Sequence, residues 1–382
     1  MSTIDRATSD QPRTRQPAVD DLKTVLVAWV IGGHALLGYS AVGGWPYDEV
    51  RETTLTPQVE LALMAALGPS GLFFMGTFFF LAGLFTPGSL HRRGPRRFAR
   101  ERTVRLGVPF VVSAVVLWPA SMLLAYRSAG HDVGYWWVLT QRDHVLDSGS
   151  LWFAEVLLLF SLGYAAWARY GHRLPVWRDH WLPVAVVVIA VTTFLVRLAF
   201  PARSGQPGDL HLWQWPQLAG MFVLGLLAAD TGIVGRVPEA LARRSKSITA
   251  AVLVLIAVVA LGVIVVRGGM PDVTPFLGGP HWQALALAVA EAVLVVFGSV
   301  ALLGVAQRLP GRWRLSRSTR RAAFAAFVLQ GPVLVATSVA LRPLALPAEA
   351  KALVAAVVGI VASFGIGHVL VTRTPLRQVL GG

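Results

Sequence analysis

Lys23 and His34 stand eleven residues apart in an apolar stretch that runs from Asp20 to Tyr39, DDLKTVLVAWVIGGHALLGY. On a helix that spacing puts them within roughly 20° of one face and about 16 Å apart along the axis. One stripe then carries a cation near its start and a titratable ring near the middle of a membrane-length run. An ionisable group at such depth is costly and marks a site by default. Two uses fit His34: a single hydrogen bond to a neighbouring helix, or a general base reached from a charged surface.

Other residues could serve the second use. Arg92, Arg93, Arg96, Arg97, Arg100, Arg102 and Arg105 crowd the segment HRRGPRRFARERTVR. Such a cluster can orient a membrane protein and attract anionic lipid, or it can grip phosphate, because the guanidinium fork matches phosphate oxygens. Trp45, Trp136, Trp137, Trp152, Trp213, Trp215 and Trp282 gather in loops poor in charge. They suit an interfacial belt, and equally a stacking surface for a sugar or other large acceptor. Glu155 and Glu291 lie deep in apolar runs and require partners. A carboxylate beside an imidazole would orient it, as in acyl-transfer sites.

The elements that must position these residues are helices in a membrane. The chain has 382 residues, 55% of them hydrophobic, and a mean hydropathy of +0.60, which is too apolar for an ordinary soluble domain. Ten runs approach the twenty residues a bilayer needs: 22–42, 60–85, 104–126, 151–170, 181–200, 212–229, 248–266, 282–306, 322–341 and 350–371. The fold class is therefore all-α, a polytopic bundle of about ten transmembrane helices. Residues 1–18 are polar and read as a disordered cytoplasmic tail, with 19–382 as a single transmembrane domain. Of the 34 Lys and Arg residues, only Arg51, Arg127, Arg142, Arg197, Arg203, Arg267, Arg342 and Lys351 fall in alternate loops. The positive-inside bias puts both termini in the cytoplasm.

The net charge of +14 sits in short clusters between apolar runs, which speaks for membrane orientation and against nucleic acid. The chain has no cysteine. Disulfides, thiolate catalysis and cysteine metal sites are excluded. The common zinc, phosphate-loop, dinucleotide and nucleophile-elbow motifs are absent. No metal is called for. The usage of Arg, Ala, Val and Gly suits a GC-rich bacterial genome, and hence a bacterial cytoplasmic membrane.

Several segments resemble one family in order. Asp20-Asp21-Leu22-Lys23, followed by apolar residues and His34-Ala35, resembles the opening of acyltransferase family 3, with Lys23 where arginine is usual. Phe79-Phe80-Leu81-Ala82-Gly83 is similar to that family's FF-x-SG segment. Arg93, Arg97 and Arg105 before Pro109 resemble its arginine-rich stretch, and Leu151-Trp152-Phe153 its LWF. Arg321 to Gln330 is similar to the penultimate span, with Gln330 where a histidine is often seen, and Arg373-Thr374-Pro375-Leu376 to the closing segment.

The resemblance implies an acyl-CoA donor from the cytoplasmic side and a hydroxyl acceptor such as a sugar, glycolipid or macrolide. His34 and Glu155 are then the catalytic candidates. Lys23, Arg92, Arg93, Arg96, Arg97, Arg100 and Arg105 would hold the donor. Trp45, Trp136, Trp152, Trp213 and Gln330 would meet the acceptor. With no nucleophile motif, direct attack of the acceptor hydroxyl on the thioester is favoured. The rival is a transporter or lipid flippase with His34 as proton relay, which calls for inverted repeats or paired broken helices. Neither is visible in the sequence.

Overall fold

The computed structural model describes residues 16–142, 145, 147–171, 174–178, 180–205, 210–267 and 272–381. Residues 1–15, most of the expected tail, lie outside the described residues, as do Arg173 and the side chain of Arg267. Within the described residues every regular element is a helix. Lipid offers no partner for backbone N–H and C=O groups, so the chain must satisfy them internally.

The principal helices are α1 (Pro17–Leu37), α2 (Pro57–Gly71), α3 (Phe74–Arg93), α4 (Pro95–Ser128), α5 (Trp152–Arg169), α6 (Trp181–Ala199), α7 (Trp215–Ala228), α8 (Glu239–Arg267), α9 (Trp282–Arg308), α10 (Arg317–Leu341) and α11 (Ala348–Arg373). Each expected span falls on one of these helices, the second on α2 and α3 together. Among the described residues, eight segments are long and apolar enough to cross a membrane. The two others are α1, whose first turns carry Asp20, Asp21 and Lys23, and α7, which has only 14 residues.

The first helix departs from its expected bounds at both ends. It starts at Pro17, where the missing N–H costs nothing in a first turn. It stops at Leu37 rather than continuing to Val42. Gly43 and Gly44 (φ 71° and 116°) then turn the chain back, so that Trp45 is buried rather than interfacial. The loop from Gly38 to Thr56 is tied down along its length. Tyr39 accepts the Leu55 N–H at 3.0 Å, and Arg342 donates to the Val50 carbonyl at 2.6 Å. Lys351 donates to Glu52 at 2.7 Å.

Near its middle α4 widens twice, into π-turns at Thr103–Gly107 and Ser113–Leu117. Each ends just before a Val-Pro or Trp-Pro step, at Pro109 and Pro119. A proline donates no hydrogen bond, and its ring crowds the carbonyl four residues back.

The core forms where α10 lies along α11, α3 along α7, and α1 against both α10 and α11. Helix α3 meets α7 at two glycines. A Cβ at Gly83 would sit 2.3 Å from the Phe222 carbonyl oxygen, and one at Gly225 would sit 2.3 Å from that of Phe80. Small residues let two backbones approach this closely. Helix α8 is outermost, with Val254, Leu255, Val258, Val259 and Leu261 exposed, as suits a surface that faces lipid tails.

Two tests follow from this packing. Gly83→Val should lower the thermal midpoint in detergent, with a loss on the order of 1–3 kcal/mol or more; an unchanged midpoint would refute the crossing. Burial pushes the Glu52 carboxyl up, but the hydrogen bond and charge of Lys351 outweigh it and hold the pKa below the ordinary carboxylate value. That stabilisation is present above the unfolded pKa and is lost as pH falls through the folded one. The stability deficit of Glu52→Gln against the parent should therefore shrink as melting curves are taken from neutral pH to below about pH 4.

Candidate active site

Two cavities enter the bundle from different sides. One, of about 960 Å³, is lined by Lys23, Arg92, Arg93, Arg102, Arg105, Arg317, Arg320 and Arg321, with only Asp20 and Asp230 as acids. Deeper in, its walls are apolar: Phe78, Ala82, Phe85, Phe153, Leu157 and Phe324. The other, of about 610 Å³, is lined by His34, Trp45, Trp152, His211 and Trp213, with Asp48, Glu49, Arg142, Asp147 and Arg203 among its polar residues. Met75 and Phe327 line both.

Helix α1 joins the two. Lys23 and Val27 face the basic cavity, and His34 faces the tryptophan-lined one. The expected stripe is thus present. The Lys23 ammonium lies 4.9 Å from the centre of the Phe85 ring, within cation–π range. Near the start of α1, buried Asp21 accepts from Arg314 at 3.1 Å and Arg320 at 3.4 Å.

The His34 ring is held on two sides. Its Nδ1 lies 3.0 Å from Oε1 of Gln330. An amide oxygen only accepts, so Nδ1 carries the proton and donates, and Nε2 keeps its lone pair. The ring also stacks on Trp45, with centroids 4.3 Å apart and planes inclined by 16°. Trp45 in turn abuts the edge of Trp118 at 5.2 Å.

Below that edge lies a charged network. Trp118 Nε1 donates to Asp147 Oδ2 at 2.7 Å, and the Gly149 N–H donates to Oδ1 at 2.6 Å. Arg142 donates to Asp147 at 3.0 Å and to Glu49 at 3.0 Å. Burial disfavours the Arg142 charge, but the two carboxylates outweigh it and hold its pKa above the ordinary guanidinium value. Gly149 adopts φ 59°, and a Cβ there would strike the Trp118 ring at 2.5 Å. Only glycine admits both the turn and the close approach.

The remaining expected residues divide. Lys23, Arg92, Arg93 and Arg105 line the basic cavity. Arg96, Arg97 and Arg100 do not line it. On α4 the inward face is Phe98, Arg102 and Arg105, spaced by four and three residues, which leaves the other three on the far side. Arg97 pairs with Glu101 at 2.9 Å, and Arg93 also contacts Glu101. Trp45, Trp152 and Trp213 line the second cavity. Trp136 does not; it is 72% exposed on the short helix Tyr135–Thr140.

Gln330 is fully buried and turned toward His34, lining neither cavity. Glu155 also lines neither and, among the described residues, makes no hydrogen bond or ion pair. Glu291 is taken by Arg197 at 2.8 Å. The side chain that hydrogen-bonds the His34 ring is the amide of Gln330.

Arg317, Arg320 and Arg321 went unassigned in the sequence because a basic cluster before a span also reads as topology. His211 went unnoticed as a lone loop histidine. It adopts a left-handed backbone (φ 49°) and stacks on Trp152, with centroids 4.2 Å apart and planes inclined by 15°. Its flanking tryptophans were the available signal. Among the described residues no three His, Asp or Glu side chains gather as a metal site would require.

An all-helical membrane bundle with a half-buried histidine between a basic and an aromatic cavity defines an integral membrane protein with two adjoining sites. Residues 16–372 match the family model for acyltransferase family 3, described as an acyltransferase domain, and the chain belongs to that family. No curated protein and no solved structure matches it significantly. The protein is a membrane acyltransferase.

Asp147 holds the support of the site together, so its removal is informative. Asp147→Ala leaves the buried Arg142 with one acceptor fewer and the Trp118 N–H with none. The expected loss is on the order of 3–5 kcal/mol, read as a lower melting temperature in detergent. Asp147→Asn, whose single amide oxygen can still accept from Trp118 or from Gly149 but not from both, should lose less.

Proposed function

We propose that the protein moves a short acyl group from cytosolic acyl-CoA to a hydroxyl of a carbohydrate, glycolipid or glycosylated metabolite. One observation carries this reading: a single helix presents Lys23 to a basic cavity and His34 to an aromatic one, and the two cavities share a wall. The basic rim suits a polyphosphate, because arginine forks pair with phosphate oxygens and ammonium groups add charge. Lys23, Arg92, Arg93 and Arg105 would hold the donor there, joined by Arg102, Arg317, Arg320 and Arg321. The apolar walls beyond the rim suit the thioester arm. With the basic cavity open to the cytoplasm, both termini lie on that side of the bacterial membrane.

The aromatic cavity suits the acceptor. Trp45, Trp152 and Trp213 offer broad amphipathic faces to a sugar ring, and Asp48 and Arg203 offer polar contacts. Its five charged side chains largely offset one another: Glu49 and Asp147 pair with Arg142, and Asp48 and Arg203 add one charge of each sign. That leaves a site suited to neutral, hydroxyl-rich acceptors.

The chemistry follows from the ring's hydrogen bonding. His34 Nε2 takes the proton of the acceptor hydroxyl as its oxygen attacks the thioester carbonyl carbon. The new C–O bond forms and the C–S bond breaks. The thiolate leaves and takes the proton back from the imidazolium, which regenerates the neutral ring. Gln330 keeps the Nδ1 proton in place throughout, so Nε2 is the nitrogen that cycles. The Trp45 face fixes the plane of the ring.

His34→Ala should lower acyl transfer in isolated membranes by about 10²–10⁴-fold, the usual worth of a positioned general base. The check is thiol release coupled to mass spectrometry of the acylated product. Transfer at the parent rate would remove His34 as the base. Metabolite and lipid profiles of a deletion strain identify the acceptor.

A further inference from the structure

We infer that Met75 and Phe327 form a one-layer septum between the two cavities, and that this septum determines which acyl groups reach His34. The inference rests on the acyl-transfer reading above and adds to it the residues that set donor specificity.

Four helices pass from one cavity to the other. On α1 the change falls between Val27, which faces the basic cavity, and Trp29, which faces the aromatic one. On α5 it falls between the neighbours Phe153 and Trp152. On α3 and α10 it falls on single residues, Met75 and Phe327, which line both spaces. A boundary that one side chain can touch from both sides is one side chain thick.

The two residues differ in mobility. Phe327 is 4% exposed, and its ring meets the edge of Phe153 with centroids 4.7 Å apart. It is a fixed wall. Met75 is half-buried, and its unbranched thioether has three rotatable bonds, so it can move aside. Phe327 also lies three residues before Gln330, about 4.5 Å lower on the same face of α10. The septum therefore sits directly beneath the hydrogen bond that holds His34. A thioester coming from the basic cavity must pass Met75 against Phe327 to bring its carbonyl to Nε2. A small acyl group passes; a long one is held back. The same barrier keeps water on the basic side from reaching the thioester at the base, where attack by water would release free acid and thiol.

The absence of native cysteine permits a test that needs no turnover. Ser150 lines the aromatic cavity, so Ser150→Cys supplies the chain's single thiol there. In sealed vesicles of defined orientation it should react with a charged methanethiosulfonate reagent from one side only. Adding Met75→Ala and Phe327→Ala should make it reactive from both sides. Reaction from both sides without those changes, or from one side with them, overturns the septum.

Donor specificity is read separately, from initial rates with acetyl-, butyryl- and octanoyl-coenzyme A. Phe327→Ala should raise the octanoyl-to-acetyl rate ratio by on the order of tenfold or more, the scale of discrimination an apolar pocket achieves, and raise hydrolysis relative to transfer. Phe327→Trp should lower the ratio. Unchanged ratios in active variants overturn the specificity claim. Failure of the parent to use any of the three donors would sink the acyl-transfer reading and the specificity claim with it, while the labelling result still decides whether the septum exists.

Discussion

An imidazole inside an apolar bundle has to be given a partner, and that requirement organises this protein. His34 finds its partner in Gln330 on α10. Thirteen residues earlier, Asp21 on the same helix is gripped by Arg320, also on α10, and by Arg314 just before it. These ties lie about 20 Å apart along α1. Helix α1 is therefore fastened to α10 at both ends of the stretch that carries Lys23 and His34. The line from the basic cavity to His34 is a fixed length rather than a flexible reach.

The second organising feature is the separation of charge. The basic cavity holds eight cationic side chains against two acids, whereas the acids of the aromatic cavity are largely spent on Arg142. A charged donor and a neutral acceptor would thus be sorted by the field each meets before any close contact forms. The Glu49–Arg142–Asp147 network also acts as scaffolding. It anchors Trp118, which supports Trp45, which in turn supports the ring of His34. On this side every layer behind His34 is polar, aromatic or both.

The helices were legible because a bilayer enforces long apolar runs and closed backbone hydrogen bonding. The shared face of Lys23 and His34 was legible for the same reason: helical phase over three turns is simple arithmetic. Tertiary partnership was not legible. Nothing local says that Gln330 meets His34 across 296 positions of sequence, or that Glu291 is already committed to Arg197. Trp45 and Trp136 have the same composition cues, yet one is buried against His34 and the other faces outward. Two glycines decide the first case by folding the chain back. The arginines of α4 divided into cavity-lining and outward ones by helical face, which a count of basic residues does not contain.

Helix α4 links both halves of the site, and its two wide turns govern how. On a regular helix Arg102 and Trp118 would point in directions roughly 160° apart. Each i→i+5 turn takes up one residue beyond the usual count, which sets the later part of the helix back by about 100°. Two of them bring the residues to within about 40° of one another. The arginine can then face the basic cavity while the indole braces the aromatic one. Deleting a single amino acid from either wide turn would rotate one half of the helix away from the other and leave its hydropathy profile almost untouched.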